Sequence, residues 1–457
     1  MKEKFKKSLK YIFIFVFSLA ILTFFSIYTN NWDALWNYEF SYSMAKGQIP
    51  YKEFTMIIPP FYNFLMSLGL LISHNHIIFL IEQALLITIS FYFLFKMYDY
   101  KAWIILLIMN FPYFMSYSPT YNYFIYFLFI IILYLEKFKK NDYLIGFLIG
   151  LMILTKHTVG IFFIIPSIII YFKDRKRLLD RFIGLMTPCL IFLIYLLFTN
   201  SLYEFLDLCL FGLIDFGTKN TYLGIWYVIA SLIFLFISIF CTYKNPKKII
   251  NWYVLSSFSI MIPIFAEYHF YVYTLFMGIL LIDNIPQYIT RKYIINLVIF
   301  VTLFLIAFHC TQIYEYEKNS FKITRFKTMH NFNYYYGYKK ALYDFSQTNK
   351  LYNKYRKLGD VYYFGNGGDS LLKIVNEEKT NYFTVLNKGN YGYNGADKLK
   401  RKIDKMSNSY FIINIGDYEY TKLKNAQFDD EIVEYVMDNT KLIKEYKKYN
   451  YKIYYKE

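Results

Sequence analysis

The side chains in this sequence that could do chemistry sit at the edges of apolar runs. Asp33 comes just after the first of these runs, at 11–29. A carboxylate held there, partly out of water, has its pKa tuned and can serve as a general base. Its plainer alternatives are a solvated loop acid or the N-cap of a helix over 34–45. Lys156 and His157 lie between two apolar runs. An ammonium at that depth needs a partner. It either meets an anionic group such as a phosphate or snorkels to the headgroups. Glu267 and His269 end another apolar segment. An ionisable pair at a membrane edge is a functional candidate, with a structural hydrogen bond as the competing reading. Tyr51 and Glu53 lie in the polar-aromatic stretch 31–60, where Glu53 reads as part of a Pro-Tyr-x-Glu-Phe packing element.

The elements that must position these residues are hydrophobic helices. The chain has 457 residues, of which 56% are hydrophobic and 23% aromatic, and the apolar residues fall in blocks of membrane-spanning length. The fold expected is an α-helical polytopic membrane protein with a small C-terminal extracytoplasmic α/β domain. The formal charge of +17 is concentrated in short clusters between apolar segments and in the C-terminal third. The positive-inside rule explains the clusters, so no nucleic-acid partner is implied. The four cysteines lie in or beside apolar segments without metal-ligand spacing and suggest no disulfide framework.

Basic clusters at 96–101, 137–140, 173–181, 244–248 and 291–292, together with the basic N-terminus, can all face the cytoplasm only if one apolar segment fails to cross. The segment 57–73 is the candidate. It is short, begins at Pro59-Pro60 and contains Asn63. Treated as interfacial or re-entrant, it leaves about 11 spans, a first external loop over 30–76, and a cell-membrane protein with its N-terminus inside and its C-terminal domain outside. The transmembrane domain then covers 1–312 and the extracytoplasmic domain 313–457. In the latter, helical candidates occur around 334–346. After Gly359, short apolar runs alternate with amphipathic helices, which predicts a largely parallel sheet. The runs at 382–386 and 410–414 read as strands and 430–446 as one helix. Gly389, Gly392 and Gly395 suit either a loop needing positive φ or a surface near a sugar. His74 and His76 make a weak metal signal, and no metal site or cofactor is assigned.

The opening loop also carries a family resemblance. An acid after the first span, then fourteen positions to G-x-x-P-Y-x-E-F and a downstream P-P, resembles the first external loop of the GT-C membrane glycosyltransferases. That superfamily includes the protein O-mannosyltransferases and aminoarabinose transferases. The matching residues are Asp33, Gly47, Pro50, Tyr51, Glu53, Phe54, Pro59 and Pro60. LTKHTVGIFFIIP at 154–166 and IPIFAEYHFYVY at 262–273 resemble later segments of that family, and GNYGYNGADKL at 389–399 more weakly resembles the external tail of its low-GC bacterial members. The chain departs from the pattern at Ala34, where many members have a second acid, and at Asn122, where many have an aspartate.

The resemblance implies transfer of a sugar from a polyprenyl-phosphate donor to a glycan, lipid or protein acceptor at the outer face. Asp33 would be the base. Lys156, His269, Glu267, Tyr51, Glu53 and His157 would form the substrate site. A divalent metal is not supported by the residues. Two other classes fit a polytopic chain: a transporter or flippase of lipid-linked sugars, and a non-catalytic scaffold of envelope assembly. The absence of an inverted repeat counts against the flippase.

Overall fold

The computed structural model describes residues 2–28, 32–109, 120–139, 141–219, 223–284, 339–365, 369–383, 386–424 and 429–457, with single helical positions at 296 and 300. The N-terminal part is helical: α1 (Lys2–Tyr28), α2 (Trp32–Ala45), α3 (Phe61–Leu70), α4 (His76–Tyr98) and α5 (Ala102–Met109). After these come α6 (Tyr121–Lys137), α7 (Asp142–Ile153), the single turn α8 (His157–Gly160), α9 (Ile164–Tyr171) and α10 (Arg175–Phe198). The series continues with α11 (Leu202–Leu206), α12 (Gly212–Lys219), α13 (Ile225–Lys244), α14 (Ile249–Ser256) and α15 (Glu267–Asn284). His76–Leu106, Arg175–Phe198 and Ile225–Lys244 are each long and apolar enough to cross a membrane.

Polar residues set the helix starts. Asn75 accepts from Ile77 N at 2.9 Å, and Asn141 accepts from Leu144 N at 3.2 Å. Helices α7 and α10 pack at close range. A Cβ on Gly146 would fall 1.8 Å from the Arg181 carbonyl oxygen, and one on Gly150 would fall 2.5 Å from that of Leu185. GFLIG at 146–150 is thus a small-x-x-x-small seam of the kind that lets membrane helices touch backbone to backbone.

The basic runs gather at one end of the bundle. Lys10 lies over the Phe95 ring at 4.0 Å, Lys137 donates to the Met97 carbonyl, and Lys248 pairs with Asp283. Arg177 and Arg181 bind Asp142, and Arg181 also holds Glu136. The cluster at 291–292 lies outside the described residues. Helix α3 has ten residues, roughly 15 Å against a hydrocarbon core of about 30 Å, so it is too short to cross. Both its ends reach the same turn of α4. Tyr62 accepts from Gln83 at 3.3 Å, and Gly69 N donates to Glu82 at 2.9 Å. It therefore lies across the bundle.

The tail begins, among described residues, with α16 (Lys339–Tyr355); the expected junction near 313 falls outside them. It continues through β1 (Asp360–Phe364), α17 (Ser370–Val375), α18 (Gly395–Asp404), β2 (Ser409–Asn414), α19 (Ile415–Lys424), α20 (Asp430–Asn439), β3 (Lys441–Tyr446) and β4 (Tyr451–Lys456). The sheet order is β1-β2-β4-β3. Phe411 and Ile413 face one buried cluster with Leu399, Ile432 and Val436, while Ile412 faces the other with Tyr352 and Ile453, the period-2 alternation of a sheet covered on both sides.

Three sequence expectations for the tail need correction. Only β1 and β2 run parallel; β2–β4 and β3–β4 are antiparallel. A short connection at Lys447–Tyr449, closed by Asn450 in the left-handed region, can join β3 to β4 only as a hairpin. The expected helix over 430–446 stops at Asn439, where Thr440 turns extended and KLIKEY becomes an edge strand. Its adjacent Leu442 and Ile443 are both exposed, so they do not mark a core face. In the run 382–386, Tyr382 and Phe383 form a turn and Leu386 is in neither helix nor strand, while 384–385 lie outside the described residues.

Candidate functional site

The chain breaks after α7 and brings Lys156 into the bundle at the end opposite the basic runs. Lys156 N still bonds Met152 O at 2.9 Å, but φ −152° ends the helix there and α8 starts anew. The side chain is buried. Its Nζ donates to Asn122 Oδ1 at 2.9 Å and lies 3.2 Å from His269 Nε2. The ammonium also lies 5.5 Å from the centre of the Tyr121 ring, within cation–π range. His269 Nδ1 is 2.9 Å from the Ile264 carbonyl. A carbonyl can only accept, so Nδ1 carries the proton and Nε2 offers its lone pair to Lys156. Three elements that are distant in sequence, the start of α6, the α7–α8 break and the start of α15, thus fix one cation.

The opening loop is built around this end. Helix α2 begins at Trp32, so Asp33 sits in its first turn rather than at its cap, where the helix dipole favours a negative charge. The side chain of Asp33 lies outside the described residues, as does that of Glu267 at the first position of α15. The path from α2 to Lys156 is short. Asn63 of α3 donates to Asn37 O of α2 at 2.9 Å, and Phe61 N at the head of α3 donates to Leu154 O at 3.0 Å. Gly47 adopts φ +78° just after α2, a conformation glycine takes without strain. Tyr51 takes φ +70°. Its ring is fully buried against Phe205 and its hydroxyl donates to Ile58 O at 2.9 Å. Glu53 accepts from Ile49 N at 2.6 Å. Tyr51 and Glu53 therefore hold the loop's shape. His157 is half-buried, and neither ring nitrogen has a hydrogen-bond partner among the described residues. Lys156 and His269 are brought into contact; Tyr51 belongs to a separate cluster with Phe40, Phe54 and Leu208, and Glu53 binds the backbone of the same loop at Ile49.

The sequence reading missed that the tail closes over this loop. Gln48 and Thr380 exchange a pair of bonds, Gln48 Nε2 to Thr380 O at 3.1 Å and Thr380 N to Gln48 Oε1 at 3.0 Å. Ser43 and Thr380 hydroxyls meet at 2.6 Å, and Ser370 donates to buried Glu39 at 2.5 Å. On the other flank the glycine loop packs on the chain between α11 and α12. Gly392 has φ +85°, and a Cβ there would fall 2.3 Å from Asp207 Oδ2, while Asn394 N donates to Asp215 at 3.0 Å. Asp207 also pairs with Lys398. Close docking thus accounts for Gly392, and Tyr391 beside it is buried.

No protein-family model matches the chain, and no curated protein matches it. Among solved structures, the fold is similar to the crystal structure of ArnT from Cupriavidus metallidurans bound to undecaprenyl phosphate. The TM-score is 0.58 over 97% of this chain and 98% of that chain, at 11% sequence identity. The similarity runs through membrane helices and tail alike. The fold expected from the sequence, a helical membrane domain with a small α/β tail, is the one observed.

Proposed function

We propose that this chain is a membrane glycosyltransferase. It takes a hexose or pentose from a polyprenyl-phosphate carrier and passes it to a hydroxyl on a glycan, lipid or protein at the outer face. The observation that carries this reading is the buried Lys156 ammonium held by Asn122 and His269. Asn122 Oδ1 and His269 Nε2 hold this ammonium inside the bundle, where a cation can stabilise an anion in a site with little water. A fold shared with a protein crystallised with undecaprenyl phosphate supports a polyprenyl phosphate as that anion.

In the reaction, Asp33 takes the proton of the acceptor hydroxyl, and the freed oxygen bonds to the anomeric carbon. The bond from that carbon to the phosphate oxygen breaks, and its electron pair leaves with the polyprenyl phosphate. The leaving phosphate gains negative charge as this happens, and Lys156 stabilises it in a site with little water. His269 holds Nζ in place, and Glu267 and His157 line the same region. The tail, docked on the first loop, forms the acceptor side. The test is transfer from a radiolabelled polyprenyl-phosphate sugar by purified protein. Full transfer by an Asp33→Asn variant that inserts normally would sink the assignment. Movement of intact lipid without bond cleavage would make the protein a flippase.

A further inference from the structure

At the basic end of the bundle, α7, α9 and α10 enclose a cavity of about 390 Å³, within the size range of small-molecule pockets. Its walls are largely apolar, with Ile149, Leu179 and Leu185; Arg175 is the exposed cation on its lining, while Arg181 and Ser167 are buried. Two of the nearby cations are already matched. Arg181 is held by Glu136 and Asp142, and Arg177 by Asp142. The Asp174 carboxylate caps Arg177 N at 3.2 Å. Arg175 is exposed at the mouth and has no ion pair among the described residues; Lys173 and Lys176 are exposed beside it. From Arg175 to Leu185 helix α10 rises roughly 15 Å, half of a hydrocarbon core of about 30 Å. The crevice therefore has the depth of one leaflet, a cation at its headgroup end and an apolar interior.

We infer that this crevice binds one anionic phospholipid of the leaflet facing the basic end, with the phosphate on Arg175 and an acyl chain running toward Leu185. Basic recesses between membrane helices recognise such headgroups. The site is separate from the one at Lys156. Asp142, which receives Arg177 and Arg181, begins α7, whereas Lys156 follows its end. Nothing in the inference depends on the transfer reaction.

The test uses the delipidated full chain in detergent, with lipid binding followed by thermal shift. Dioleoyl phosphatidylglycerol should bind about fivefold tighter than dioleoyl phosphatidylcholine, the worth of one basic residue near an anionic group. Arg175→Gln should bring the two lipids to equal affinity. Ile168→Trp, which fills the crevice from its exposed rim, should weaken both while leaving the protein folded. Equal affinities for the two lipids in the unmodified chain would overturn the inference. An unchanged preference in Arg175→Gln would do so too. Inorganic phosphate producing the full shift would reduce the site to an ion contact, and undecaprenyl phosphate displacing phosphatidylglycerol would assign the crevice to the carrier.

Discussion

Lys156 and His269 are 113 residues apart in sequence, yet their Nζ and Nε2 atoms lie 3.2 Å apart. Because His269 donates its other nitrogen's proton to Ile264 O, it must accept from the ammonium. Lys156 is therefore aimed by a lone pair on one side and the Asn122 carbonyl oxygen on the other. Replacing Lys156 with Met should lower kcat for sugar transfer by roughly 100- to 1,000-fold, the effect of losing one donor to a developing anion. His269→Ala leaves the cation and removes one hydrogen bond, so its loss should be about tenfold. Turnover of labelled donor at saturation measures both. A His269→Ala loss equal to that of Lys156→Met would show that the histidine itself contacts the reacting groups.

Asp33→Asn should cost about 10²- to 10⁴-fold in transfer, the range for general-base catalysis, with donor affinity unchanged. Donor KM and kcat, measured together, separate a base from a binding residue. A rise in KM alone would place Asp33 in recognition.

The membrane part of this fold was legible in the sequence because apolar runs and basic clusters record lipid contact directly. The short segment 57–73 could be singled out by charge parity, and α3 is too short to cross. Lys156 and His269 stood out because ionisable groups are rare in such runs. Their contact was not legible: Asn122, noticed only as a departure from a family pattern, turns out to be the third member of the set. The tail was harder to read. Strands β1, β2 and β4 are buried on both faces, and KLIKEY is an exposed edge that carries no core pattern. The docking of Thr380 on Gln48 left no sequence signal, since amides and hydroxyls bond across 332 residues without any spacing rule.

Arg181 and Glu136, both almost fully buried, form a two-pronged ion pair at 2.6 and 3.0 Å. Tyr171 and Tyr253 each donate to the same carboxylate at 3.0 Å. Arg181 also keeps Asp142, whereas Arg181 is the cation that Glu136 has among the described residues. Arg181→Met therefore strands a buried carboxylate and should destabilise the bundle by about 3–5 kcal/mol. The double variant Arg181→Met/Glu136→Leu should recover most of that loss. Thermal unfolding in detergent compares them, and equal destabilisation by the single and double variants would contradict a penalty from uncompensated charge.

Lys402 of α18 lies over the Tyr382 ring, and burial pulls its pKa down to about 8, against partial support from Glu204 and a further push from Lys398. The folded value is below the ordinary 10.5, so between these two pH values the unfolded chain binds more protons. Stability should therefore rise as pH goes from about 8 to 10.5, relative to a Lys402→Gln variant in which that slope is absent. Melting temperatures of the two proteins across this window give the difference directly. A difference that stays flat would mean the ammonium is solvated in the docked tail.

Gln48 is the residue on which closure of the tail over the first loop depends most. Its amide pairs with both the N–H and the C=O of Thr380, as a neighbouring strand would, and all the groups involved are buried. Gln48→Ala leaves a buried donor and acceptor on Thr380 unmatched, at about 1–3 kcal/mol each. Ser43→Ala removes one hydroxyl from the same contact but leaves the amide pair intact, so its effect should be smaller. Proteolysis near 369–383 should accelerate in Gln48→Ala and hardly change in Ser43→Ala. If the tail forms the acceptor side, Gln48→Ala should also uncouple the reaction, with sugar released to water while transfer to acceptor falls. Faster proteolysis with unchanged transfer would show that the docked tail protects the loop without taking part in acceptor binding.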